Sequence, residues 1–156
     1  MNEENCAIYI GIAISKGNAS NLQGGIGISV YNYDRQLVDE NNLLVGEIAD
    51  SAELELIALI EAIAYARDGD CLYSSSEYCV KGFNEWLDNW KAKGWRKSDK
   101  KPVANRHLWQ QVDMHRASKF VEVRRAHKVG DFEQMGRAGD MARGGVKSIG
   151  FRGYYC

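Results

Sequence analysis

Residues 86–109 read Trp86-Leu-Asp-Asn-Trp90-Lys-Ala-Lys-Gly-Trp95-Arg-Lys-Ser-Asp-Lys-Lys-Pro-Val-Ala-Asn105-Arg-His-Leu-Trp109. All four tryptophans of the chain and its single proline fall in this stretch. Trp86, Leu87 and Trp90 recur at helical spacing and close a helix that opens near Ser76, with Tyr78 and Phe83 as its other apolar residues. Gly94 and the charged run Arg96–Lys101 interrupt it. A second helix is predicted from Asn105 to His115, with Leu108, Trp109 and Val112 facing inward.

Working outward, Lys119–Arg125 reads as a strand carrying Phe120, Val121 and Val123. A loop and a short last helix around Ala138–Arg143 follow. Upstream, Cys71–Ser74 is a short buried strand, reached through the turn Asp68-Gly69-Asp70. Before that turn runs a helix from Asp50 or Ser51 to about Arg67. Leu54, Leu56, Ile57, Leu59, Ile60 and Ile63 make it apolar on most sides, which suits a central position against a sheet. Three strands precede it: residues 6–14, Ile26–Tyr33 and Gln36–Val45. A polar loop, Ser15–Gly25, separates the first two, and Asn32–Arg35 turns between the last two. The order β-β-β-α-β-α-α-β-α implies a five-stranded mixed α/β sheet, with three antiparallel strands first, then parallel strands entered through helices.

The chain has 156 residues, 45% hydrophobic and 26% charged, which suits one domain over residues 1–156. Its core is placed at about residues 6–145 and a tail at 146–156. No apolar run approaches the roughly 20 residues that span a bilayer. The acidic start Met1–Asn5 does not resemble a signal peptide. Cys6, Cys71, Cys79 and Cys156 show no zinc spacing and read as reduced thiols, with Cys71 and Cys79 in the core. The expectation is a soluble intracellular protein with no membrane partner.

The net charge of −1 conceals a division. Residues 1–89 carry 4 basic and 15 acidic side chains, a net of −11. Residues 90–128 carry 12 basic and 3 acidic ones, a net of +9. A basic block interleaved with tryptophans is a candidate nucleic-acid face, although the commoner fate of a charge run is a solvated surface.

The Trp…Trp…Gly-Trp spacing, followed by Pro102-Val103-Ala104-Asn105 and Leu108-Trp109, resembles the basic handle of type 1 ribonucleases H. Ile8-Tyr9 through Ala13, Ser15-Lys16-Gly17-Asn18 and Gly24-Gly25-Ile26-Gly27 resemble that family's first strands. Glu55–Ala62 resembles its glutamate-bearing helix, and Ser76-Glu77-Tyr78 the start of the next one. The resemblance runs from residue 7 to about 145 and implies the ribonuclease H-like fold with a basic handle protrusion.

Enzymes of that family cut the RNA strand of RNA–DNA hybrids with two magnesium ions about 3.5–4 Å apart, and hard carboxylate oxygens hold the ions. Of the four acids the resemblance calls for, only Glu55 stands in place. Gly11, Ser75 and Gly139 occupy the other three positions. Asp50 replaces a threonine of the phosphate pocket, and Ile12 replaces a glycine. Asp140 is a neighbour that a change of register would bring into the site. His127 matches a mobile-loop histidine. With Glu55 it is a remnant of the catalytic set.

The resemblance also assigns nucleic-acid contacts to Ser51, Trp90, Lys91, Lys93, Trp95, Arg96, Lys97 and Asn105. Trp86 is assigned to packing, and Trp90 and Trp95 to both packing and contact. The expectation is therefore an inactive ribonuclease H-like protein, kept as a nucleic-acid-binding or structural module. Its partner would be an RNA–DNA hybrid, a structured RNA, or a larger protein or ribonucleoprotein assembly. It would hold no metal and no cofactor. The alternative is an active endonuclease on hybrids, requiring Mg2+ or Mn2+.

Overall fold

In a computed structural model the described residues are 4–16 and 22–147. Three strands, β1 (Ala7–Lys16), β2 (Leu22–Tyr31) and β3 (Leu37–Ile48), form an antiparallel meander. β4 (Cys71–Ser74) runs parallel to β1, and β5 (Glu122–Arg125) parallel to β4. The sheet order is β3-β2-β1-β4-β5, which is the expected five-stranded mixed sheet. The side-chain period of 2 sorts β1 into two faces. Ile8 and Ile10 join the main core, whereas Ala7 and Tyr9 join a smaller cluster on the other side.

The main core lies under helices α1 (Ser51–Tyr65) and α4 (Arg106–Ser118). Leu54, Leu56, Leu59 and Ile63 of α1 and Trp109 and Val112 of α4 are at most 1% exposed. Burying each aliphatic side chain contributes roughly 1.5–3 kcal/mol. Asp50 caps α1 by accepting a hydrogen bond from the Glu53 amide at 2.9 Å, and Glu53 reaches back to the Ala49 amide at 3.3 Å. At the other end the Lys119 ammonium donates to the carbonyls of Ala64 and Ala66 at 3.2 and 2.6 Å. A cation there complements the helix dipole.

The helix predicted from Ser76 is composite. α2 (Glu77–Lys81) passes through a π-helical turn, Gly82–Trp86, into α3 (Leu87–Ala92). The wider turn has a local cause. Gly82 lies flat against the Trp109 indole, where a methyl group would collide with the ring. Residues 93–105 then fold back on the core. Arg96 bridges to Pro102, the Val103 amide donates to the Trp95 carbonyl at 3.1 Å, and Val103 is buried.

Three sequence expectations need correction. β2 begins at Leu22, inside the stretch read as a loop, because the glycines at 24, 25 and 27 sit within the strand. β5 is confined to Glu122–Arg125, since Lys119 and Phe120 serve the ends of α1 and the preceding turn. The last helix, α5 (Phe132–Lys147), has 16 residues where a short one was expected around Ala138–Arg143. Its glycines read locally as helix breakers, and packing against β1 and β2 overrides that preference. The tail from residue 148 on, Cys156, and Gly17-Asn18 of the first loop lie outside the described residues. Among the described residues, no helix is long and apolar enough to cross a membrane.

Candidate functional site

Three elements converge where β1 meets β4. Ser74 pairs with Ile10, so Ser75 leaves β4 at the level of Gly11. Across the sheet α5 lies on β1 and β2 at backbone distance. A Cβ placed on Gly11 would stand 2.5 Å from the carbonyl carbon of Ala138 and 2.6 Å from the Gly139 nitrogen. At Gly27 a Cβ would run into the Ala138 carbonyl oxygen and the Ala142 nitrogen. Ala138 and Ala142 are fully buried. Gly11 is therefore a filled position: the helix main chain occupies the space that an acidic side chain would need.

Gly139, directly above Gly11, is followed one turn later by Arg143. The Arg143 Nη1 lies 3.4 Å from where a Gly139 Cβ would be, and its Nη2 pairs with Asp140. Asp140 is exposed and committed to that ion pair, turned away from the strands. Ser75 is exposed.

Glu55, half-buried on α1, accepts a hydrogen bond from the Ser76 hydroxyl at 2.7 Å. The same hydroxyl caps α2 by accepting from the Cys79 amide at 3.1 Å. Ser76 therefore ties the Glu55 carboxylate to a helix terminus. The sequence reading assigned Ser76 only to the start of a helix. The signal for more was Ser76 lying one residue past the third acidic position.

His127 is exposed, and its Nδ1 accepts hydrogen bonds from the amides of Val129 and Gly130 at 3.3 and 3.0 Å. The loop is tied further by Asp131, which is buried. Its carboxylate accepts from the His127 amide at 2.6 Å and from the Tyr9 hydroxyl at 3.0 Å. Burial and then this hydrogen bond push the Tyr9 phenol above its usual range. Nothing in the sequence pattern singled out Asp131, because its partners lie in β1 and in its own loop.

The tryptophans of the basic segment form one aromatic cluster. Trp90 meets Trp109 edge-on at 5.3 Å and Trp86 at 5.6 Å, and Tyr78 meets Trp109 at 5.5 Å. Trp95 packs on the core. The Trp109 indole donates to the Tyr78 hydroxyl at 3.0 Å, and the Asn105 amide reaches it at 3.4 Å. The cations lie outside this cluster. Lys91 pairs with Asp113 at 3.0 Å and Lys97 with Asp99 at 3.9 Å. Arg96 donates to the Lys100 carbonyl at 2.9 Å, and Lys93 is exposed. At the start of α1, Ser51 is exposed beside the capping Asp50.

Two divalent ions require a convergent set of carboxylates. Gly11 has no room for one, Ser75 supplies a hydroxyl, and the Gly139 position lies beside a guanidinium. Among the described residues, no three His, Cys, Asp or Glu side chains group to hold an ion. These residues do not fit a two-metal centre.

A mixed five-stranded sheet in this order, with one helix-borne glutamate at the β1–β4 junction, defines the ribonuclease H class of α/β folds. The chain belongs to the RNase H family, whose model matches residues 13–144. It is 34% identical over 134 residues to a ribonuclease H of a Caulobacter species, covering 83% of this chain and 84% of that protein. It is also 34% identical over 102 residues to the ribonuclease H of Ruthia magnifica, covering 64% of this chain and 66% of that protein. The matched stretch thus spans about two thirds of the latter's length. In fold it resembles the foamy viral protease–reverse transcriptase solved with an RNA/DNA hybrid. The TM-score is 0.79 at 15% identity, over 92% of this chain and 20% of that one.

Proposed function

We propose that this chain is a single ribonuclease H-like domain that binds nucleic acid and does not cleave it, retained as a binding or assembly module. The observation that carries this reading is the contact at Gly11. An acid lost to an open position could be replaced by a neighbour, but here the helix backbone fills the position. The relatives named ribonuclease H, and the viral enzyme solved with an RNA/DNA hybrid, favour a hybrid or a structured RNA as the ligand. The phosphate contacts fall to Lys93, Arg96, Lys97 and Lys91, with Asn105 and Ser51 beside them. Trp90 and Trp95 hold the segment in shape from beneath. No cofactor takes part, and a larger protein or ribonucleoprotein assembly is the setting.

The test is a labelled RNA–DNA hybrid incubated with the protein in Mg2+ and, separately, in Mn2+. The expected result is no cleavage above that of Glu55→Gln. Binding should weaken steeply with salt, because each neutralised phosphate releases counterions. Metal-dependent cutting that Glu55→Gln abolishes would establish an active hybrid endonuclease and overturn the proposal.

A further inference from the structure

We infer that Arg143 turns the former metal-binding corner into a metal-independent seat for a backbone phosphate of the bound nucleic acid. This inference rests on the binding function proposed above and assigns the ligand group and its contact at the same site.

One turn of α5 is seated directly on Gly11 and Gly27, so the helix backbone at Ala138, Gly139 and Ala142 is fixed against the sheet. Arg143 follows Ala142 on the outer side of that helix, and its side chain is 55% exposed. Its guanidinium is divided between two neighbours. Nη2 goes to Asp140, while Nη1 lies beside the bare Cα of Gly139. An acid at residue 139 would take that second nitrogen. With glycine there, the Nη1 edge lies over the turn of α5 that covers Gly11.

A guanidinium offers several N–H donors in a plane and stays charged at any physiological pH, which suits a phosphate oxygen. The same charge opposes a divalent cation at this place. The corner thus keeps a positive charge facing the nucleic acid, now carried by a side chain. Asp140 is the competing group, since it holds one edge of the fork and repels phosphate. Opposite effects are therefore expected on the two sides of that ion pair.

The experiment measures the affinity of a fluorescent RNA–DNA hybrid for the full chain as a function of salt, in Mg2+ and in EDTA. The wild-type protein should bind equally in both. Arg143→Ala should weaken binding about three- to tenfold and lower the salt slope by about 1. Asp140→Asn should tighten binding, and Gly139→Asp should weaken it by capturing the freed nitrogen. Asp140 and Arg143 are exposed and Gly139 is partly so, and circular dichroism checks that each variant is folded. Binding that Arg143→Ala leaves unchanged, or that Asp140→Asn weakens, overturns the inference while the binding function stands. Binding lost in EDTA overturns it equally. A wild-type protein that binds no hybrid at low salt overturns both.

Discussion

The two faces of the sheet are built on different principles. Over one face, α1 and α4 stand off at side-chain distance, and the space is filled by leucines, isoleucines and the Trp109 indole. Over the other, α5 sits on strand backbone through glycine and alanine, with Tyr9, Tyr31 and Met135 at the margin. The difference explains the fate of the two site residues closest to each face. Glu55 comes from the roomy side, where a carboxylate has both space and a hydroxyl partner in Ser76. Gly11 points to the tight side, where any side chain would displace a helix. The bare Cα at residue 11 and the close docking of α5 are thus one structural fact.

That contrast can be broken at several points. The largest effect is expected on the roomy face, where Trp109→Ala removes a fully buried ring that also shapes the π turn at Gly82. A loss of about 4 kcal/mol in urea unfolding is expected, as for other buried tryptophans truncated to alanine. A loss below about 1 kcal/mol would mean that the π turn and α4 pack loosely.

On the tight face, Gly11→Asp restores the acid in name, and the clash with α5 should cost about 3 kcal/mol. The variant should regain no metal-dependent cleavage. Wild-type stability in the same urea measurement would show that α5 is not docked on β1. Tyr9→Phe is milder. It deprives the buried Asp131 carboxylate of one donor and should cost about 1.5 kcal/mol. Faster amide exchange across residues 127–131 should accompany it, since Asp131 ties that loop.

The smallest effect concerns pH. Cys79 lies in the apolar core of the roomy face, and burial pushes its thiol up to about 12 from an ordinary 9.0. Between those values the unfolded chain releases a proton that the folded one keeps. Stability is therefore complete below the ordinary thiol value and declines as pH rises through that window. The urea midpoint should fall between about pH 8.5 and about pH 10.5, and less steeply in Cys79→Ala. An identical slope in the variant would assign the decline to the other groups that burial raises, the Cys6 and Cys71 thiols and the Tyr9, Tyr65 and Tyr73 phenols.

Much of the fold was readable along the chain. The apolar face of α1, its Asp50 cap, the turn at 68–70 and the short β4 follow from local periodicity and capping chemistry. Element order and a five-stranded mixed sheet followed from these. What misled were glycines. Gly24 and Gly25 look like loop, and Gly136 and Gly144 look like breaks on either side of a short helix, because local propensity counts each as a cost. For Gly27 the benefit lies in α5, more than 100 residues away along the sequence, and for Gly24 in the Leu54 side chain of α1. The candidate site divided in the same manner. Glu55 and Ser75, with glycine at 11 and 139, were legible by position. The Ser76 hydroxyl on Glu55, the Asp131 anchor on Tyr9 and the Arg143 fork were not, since each needs two elements brought together.

By itself, then, the sequence determined the elements, their order and the family, because a side chain's period and the residues that cap a helix act within a few positions. It also determined that glycine stands at 11 and 139. Only the tertiary structure decided what those glycines face. How near α5 approaches β1 depends on small residues facing each other from opposite ends of the chain, and steric exclusion between two backbones is not written in either one alone.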